Sequence, residues 1–126
     1  MKRIRKILIV DDQLHLRTLL KVALGVGKYE VHEAASGEQA LQMAANIKPD
    51  MMLLDVMMPG GMNGFDVCQQ IKASPELQHI FVVMLTAMGQ QADRERGAQV
   101  HADAYVVKPF SPLELLELIE KVMPSR

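Results

Sequence analysis

Residues 49–59 read PDMMLLDVMMP, and the fold turns on the run at their centre. Met51 to Leu54 is uninterrupted apolar sequence, long enough for a strand and too short for a helix, and it stops at Asp55. A strand without polar alternation is covered on both faces, which implies parallel strands with helices packed on each side. Outward from this segment, short apolar runs recur at Ile7–Val10, Val31–Ala34, Ile80–Leu85 and Tyr105–Val107. The intervals carry helical periodicity: Leu16, Leu19, Leu20, Ala23 and Leu24 share one face, as do Leu41, Ala44 and Ala45, then Phe65, Cys68 and Ile71, and finally Leu113, Leu116, Ile119 and Val122. Ser36 before Gln39 and Ser111 before Glu114 have capping-box spacing, Pro112 sits at a first helical position, and Pro75 ends the third helix. A fourth helical segment, Gln90 to Val100, is mostly polar, holds Gly97 and offers only Ala92, Ala98 and Val100 for burial, so it is predicted to be the least stable. Strand and helix alternate five times, which predicts a doubly wound α/β domain.

A chain of 126 residues accommodates one domain with a real core, here 1–126 with its core over about 5–123, and is too short for two ordinary ones. Apolar residues form 49% and charged residues 23%, and 14 Lys and Arg nearly balance 15 Asp and Glu. That profile argues against disorder and membrane spanning, and a net charge of −1 gives no general attraction to nucleic acid. The basic cluster Lys2, Arg3, Arg5, Lys6 precedes an apolar stretch that ends at two aspartates, which is no secretory signal. The single cysteine, Cys68, reads as a small core residue in a reducing cytoplasm.

In an open parallel sheet, ligands bind beyond the carboxyl ends of the strands. The first strand ends in Asp11 and Asp12, the third in Asp55, the fourth in Thr86, and Lys108 follows the fifth. Each alone has an ordinary reading: Asp12 a helix cap, Asp55 a loop carboxylate, Thr86 a strand-end hydroxyl, Lys108 a solvated charge. Together they place three carboxylates, a hydroxyl and an ammonium on one edge. Carboxylates so crowded require a cation, and an all-oxygen donor set favours a hard ion such as Mg2+. A metal beside a carboxylate makes phosphoryl transfer onto that carboxylate feasible, with Lys108 and Thr86 available to the phosphoryl oxygens.

These residues resemble the response-regulator receiver family over nearly the whole chain: ILIVDD at 7–12, Arg17, PDMMLLDVMMP at 49–59, Gly64, Thr86-Ala87 and ADAYVVKPF at 102–110. The resemblance implies a flavodoxin-like five-stranded parallel sheet of order 2-1-3-4-5 with five helices. It implies Asp55 as phosphoryl acceptor, with Asp12, Asp55 and the backbone carbonyl of Met57 on Mg2+ and Asp11 acting through metal-bound water. Thr86 and Lys108 would engage the phosphoryl group, Tyr105 would be the switch aromatic, and the Lys108-Pro109 peptide would be cis. The implied partners are a sensor histidine kinase or phosphotransfer protein as donor and an output domain or target protein downstream. No direct nucleic-acid or membrane contact is implied, and a phosphorylation-dependent dimer is allowed. The output face would comprise the fourth helical segment, the fifth strand and the last helix.

Several positions depart from the family pattern. Gly60-Gly61-Met62-Asn63 before Gly64 carries one extra residue, which two adjacent glycines are predicted to absorb without moving Asp55. His101 stands where the family has Gly, so the turn there is predicted to be strained or differently capped. His15, His32 and His79 read as surface or boundary residues. Of ten methionines most are assigned to the core, but Met57 and Met88 lie two residues past Asp55 and Thr86 and are predicted to shield a long-lived phosphoryl-aspartate from water.

The function expected is a phosphoacceptor module that assists its own phosphorylation and dephosphorylation and turns over no external substrate. A small aspartyl-phosphate phosphohydrolase would want a second acid where Met57 stands. A constitutive binding module would lack an acid or the lysine, and all are present. A stand-alone relay receiver and a receiver belonging to a longer regulator are both compatible with these residues.

Overall fold

Alternate residues of the central strand enter two different cores, as an all-apolar strand between helical layers requires. The computed structural model describes residues 5–25, 29–58, 60–87, 95–96 and 98–123. Its strands are β1 (Arg5–Val10), β2 (Tyr29–Ala34), β3 (Met51–Asp55), β4 (Phe81–Ala87) and β5 (Ala104–Lys108). Its delimited helices are α1 (Leu14–Leu24), α2 (Gly37–Ile47), α3 (Gly64–Ala73) and α4 (Pro112–Val122). All four strand pairings are parallel and the order is β2-β1-β3-β4-β5. The chain therefore goes from β1 outward to β2, then crosses back to β3, which makes the β1/β3 boundary the topological switch point.

Leu8, Val10, Met52, Leu54, Val82 and Met84 face one core, closed by Ala40 and Ala44 of α2 and by Phe65, Val67, Cys68 and Ile71 of α3. Ile7, Ile9, Met51, Leu53, Val83 and Leu85 face the other, closed by Leu20 and Leu24 of α1 and by Leu115 and Ile119 of α4. Each fully buried Leu, Ile or Met is worth about 1.5–3 kcal/mol relative to exposure. That burial holds the strand ends, and the polar groups on them, in fixed register.

The predicted helix count needs correction: four helices are delimited among the described residues, not five. The Gln90–Val100 segment lies largely outside them, although Glu95, Arg96, Ala98 and Gln99 are helical. The helix faces also shift. Leu19 and Leu113 are 51% and 65% exposed, and Ala45 is exposed as well. The stripes that meet the sheet run through Leu20 and Leu24, Ala40 and Ala44, and Leu115 and Ile119, at four-residue spacing. Leu19 and Ala45 lie about 100° around the helix from the nearest of these, and Leu113 about 120°, turning them toward solvent. The β2 run is also less apolar than its reading implies, because it holds His32 and Glu33, and on this edge strand Val31, His32 and Glu33 are only half-buried.

Local signals explain the boundaries. Ser36 and Ser111 Oγ accept from the backbone N–H of Gln39 and Glu114, and Pro112 stands in the first turn of α4. A reciprocal capping box between Asn63 and Asp66 starts α3. Cys68 is fully buried, its Sγ donating to Val100 O at 3.4 Å, and burial pushes its thiol up to about 11. Such a group packs and does not react.

Candidate functional site

Four strands deliver side chains to the carboxyl edge of the sheet. β1 continues into Asp11 and Asp12, β3 ends in Asp55, β5 ends in Lys108, and Thr86 is the penultimate residue of β4. Asp11 is fully buried, Asp55 is 5% and Thr86 2% exposed, while Asp12 is exposed. One oxygen from each of Asp11, Asp12 and Asp55 lies within 4.8 Å of the others. Lys108 Nζ reaches between the two buried acids, 3.1 Å from Asp55 Oδ1 and 3.3 Å from Asp11 Oδ2. All five predicted residues thus come to one edge, the three acids and Lys108 as one cluster, with Thr86 beside Asp55's neighbour Leu85 in the β3/β4 register.

The ordinary reading of Asp12 as a helix cap does not hold. Gln13 is the α1 N-cap, without a side-chain cap bond, and its N–H donates to Asp11 Oδ1 at 2.8 Å. Asp55 Oδ1 accepts from Met57 N at 3.3 Å. Burial, reinforced by the Asp11 charge, raises the Asp55 carboxyl above its ordinary value, and Lys108 only partly opposes this. Burial pulls the Lys108 ammonium down, but Asp55 and Asp11 outweigh it and the group is raised. Two buried carboxylates sharing one ammonium leave a negative surplus beside Asp12. A hard dication suits that surplus, so the donor set fits Mg2+.

Around this edge the backbone is specialised. The Lys108-Pro109 peptide is cis and Gly60 has a φ of 95°, while at the opposite edge, on the turn into β5, His101 has a φ of 65°. His101 therefore occupies the left-handed region that the family pattern gives to glycine. Gly64 N–H donates to Val56 O at 3.0 Å, closing the lengthened loop at its base, and Gly61 has open space around it. Met57 is 71% exposed, whereas Met88 lies outside the described residues. Tyr105 is half-buried against the core that includes Met84, its register partner, and Thr86 pairs with Val107. Tyr105 and Thr86 therefore share one face of the sheet as diagonal neighbours.

The response regulator receiver domain pattern matches residues 7–120. The chain belongs to that family. Among curated relatives, the receiver is 43% identical over 119 residues to a "Probable transcriptional regulator ycf27" of Cyanophora paradoxa, covering 94% of this chain and 48% of the relative. It is 40% identical over 121 residues to the transcriptional regulatory protein ResD of Bacillus subtilis, with 94% and 48% covered. The chain thus spans about half the length of these relatives. Among solved structures, the chemotaxis protein CheY4 of Vibrio cholerae superposes with a TM-score of 0.89 at 31% identity, over 96% of this chain and 100% of that one. The fold is flavodoxin-like, and the receiver is a module of two-component signalling. No helix among the described residues is long and apolar enough to cross a membrane.

Sequence reasoning missed two contributors. Asn63 was not read as a cap, although Asp66 three residues on is its signal. Glu33 was not read as a site neighbour, and no local pattern marks it. It receives Arg17 Nε at 3.1 Å across the gap between β2 and α1.

Proposed function

We propose that this receiver accepts a phosphoryl group on Asp55 from a phosphohistidine and converts it into a changed output face. The observation that carries the reading is the Lys108 ammonium held between buried Asp55 and Asp11, with Asp12 beside them. An Asp55 carboxylate oxygen attacks phosphorus, the P–O bond forms as the P–N bond breaks, and the imidazole leaves and takes up a proton. Lys108 neutralises charge on the phosphoryl oxygens, and the Thr86 hydroxyl donates to one of them. Asp12, Asp55 and the Met57 carbonyl would hold Mg2+, with Asp11 acting through its bound water. When bound, that ion supplies positive charge to the phosphoryl oxygens.

Thr86, drawn toward the phosphoryl group, vacates space on the face it shares with Tyr105, which turns inward. β5, α4 and the segment before β5 form the face that changes. The donor is a sensor histidine kinase or phosphotransfer protein, and the reader is an output domain or target protein, with a dimer as one consequence of phosphorylation. Residues 1–126 act as one receiver unit in the cytoplasm, without direct contact to nucleic acid or membrane. The receiver turns over no external substrate, a reading supported by Met57 standing where a phosphohydrolase would place its second acid. Met57, exposed beside Asp55, acts with Met88 to slow hydrolysis.

Intact-mass measurement after acetyl phosphate and Mg2+ tests the acceptor. One phosphoryl adduct on the parent and none on Asp55→Ala is the expected result. An adduct that survives the substitution overturns it.

A further inference from the structure

Asp11 is held at four atoms, and of these four partners only Lys108 belongs to the cluster itself. Its N–H donates to Ala34 O of β2 at 3.1 Å, its Oδ1 accepts from Gln13 N, and its Oδ2 receives Lys108. Its backbone carbonyl, which leaves the strand ladder where β1 ends, accepts from Arg17 Nη1 at 2.7 Å. The same guanidinium donates through Nε to Glu33 Oε1 at 3.1 Å, and Lys21 Nζ meets Glu33 Oε2 at 3.2 Å. Burial alone would raise the Glu33 carboxyl, but Lys21 and Arg17 hold it below its usual range. The Arg17 side chain is 13% exposed, so this fork is no loose surface pair.

The carbonyl that Arg17 grips belongs to the peptide joining Asp11 to Asp12. A peptide unit is planar, so fixing its oxygen fixes the direction in which the two flanking α-carbons present their carboxylates. Glu33 in turn fixes the guanidinium, and β2 fixes Glu33 through its pairing with Ile9. We propose that Arg17, braced by Glu33, is a positioning residue that sets the Asp11–Asp12 peptide for the dication and thereby for phosphoryl transfer to Asp55. This rests on the phosphoacceptor reading above. Arg17 acts through the Asp11 carbonyl, which makes it a positioning residue and not a catalytic one.

Charge and positioning make opposite predictions for this residue. On charge alone, removing a guanidinium near three carboxylates tightens a dication. On positioning, removal loosens it. The test is Mg2+ titration of the folded protein followed by amide chemical shifts, which needs no phosphorylation, alongside acetyl phosphate kinetics as a function of Mg2+. Arg17→Met is expected to weaken Mg2+ about tenfold, the low end for loss of a group that orients metal ligands. Glu33→Gln is expected to weaken it about threefold, and the double variant no more than Arg17→Met alone, because the two act in series. Arg17→Lys recovers part of the affinity, since an ammonium can serve one acceptor but not the fork. In kinetics the loss appears as a higher Mg2+ requirement, with the rate at saturating Mg2+ near that of the parent.

Binding by Arg17→Met as tight as the parent, or tighter, overturns the proposal and leaves the acceptor reading intact. A parent that binds no Mg2+ overturns both. If Arg17→Met does not fold, Glu33→Gln and Arg17→Lys decide, and parental affinity in both refutes the role.

Discussion

Gly64 packs its α-carbon directly against the carbonyl of Asp55. A Cβ built on Gly64 would overlap that oxygen and stand 2.9 Å from Val56 Cα. Backbone cannot yield as a flexible side-chain end does. The Gly64→Ala variant is therefore expected to lose about 2 kcal/mol, within the range for forcing extra atoms into packed structure. Urea unfolding measures the loss. The folded fraction is expected to be phosphorylated more slowly by acetyl phosphate, because the displaced segment begins at the acceptor. A variant as stable and as reactive as the parent would show that the approach is tolerated.

Asp55 and Asp11 share a single ammonium, so one buried negative charge is uncompensated when Mg2+ is absent. Replacing the acceptor with its neutral isostere removes that surplus. Asp55→Asn is expected to stabilise the protein by about 1–2 kcal/mol in chelator-treated buffer, since unpaired buried charge is costly. Added Mg2+ narrows the difference by binding the parent more tightly. Thermal unfolding with and without the ion reads both, and a less stable Asp55→Asn protein would mean that Lys108 already balances the cluster.

Tyr29 supplies a pH dependence remote from the site. Its hydroxyl donates to Glu120 Oε2 at 2.9 Å, and burial, with the Glu120 bond and charge behind it, pushes the phenol up from 10.0 to about 12. The raised value favours the protonated form in the folded state. Its stabilisation is complete below the unfolded value of 10.0 and is lost as pH rises toward about 12. Ultraviolet titration should show one of the 2 tyrosines ionising late, and Tyr29→Phe should remove that late step. Persistence of the step in Tyr29→Phe would assign it to Tyr105.

His101 carries a φ of 65° at the turn into β5. The left-handed region costs a side chain about 1–2 kcal/mol, and glycine's extra unfolded freedom returns about 0.5–1 of this. His101→Gly is thus expected to stabilise by about 0.5 kcal/mol, read as a raised urea midpoint with unchanged slope. A lower midpoint would show that the imidazole makes a favourable contact worth more than the strain.

Much of this was legible in the sequence because strands buried on both faces must be apolar without interruption. The runs therefore marked the strands, and the first polar residue after the runs of β1, β3, β4 and β5 marked the site, whereas after β2 it is Ser36, which caps α2. Helix faces were harder. Leu19 fits a periodic stripe by type but sits at its margin, which only packing against the sheet decides, and Leu113 in the first turn of α4 lies off the stripe altogether. The Arg17 and Glu33 contact was invisible because it depends on which strand β1 pairs with and in what register. Nor could the sequence tell that Gln13, and not Asp12, caps α1, since both stand at the same turn.

The clasp from Gly64 N–H to Val56 O separates two kinds of history in one short stretch of chain. Upstream of it, Asp55 is tied to Lys108 and Val56 N–H to Leu85 O, so change there is punished at once. Within the loop, Gly61 has no neighbour that an added Cβ would strike, whereas Gly60 is held to glycine by its φ of 95°. Recognition can therefore drift by lengthening and recolouring that loop while the acceptor stays in tune. Swapping such loops between relatives is a way to exchange conversation partners without relearning the chemistry.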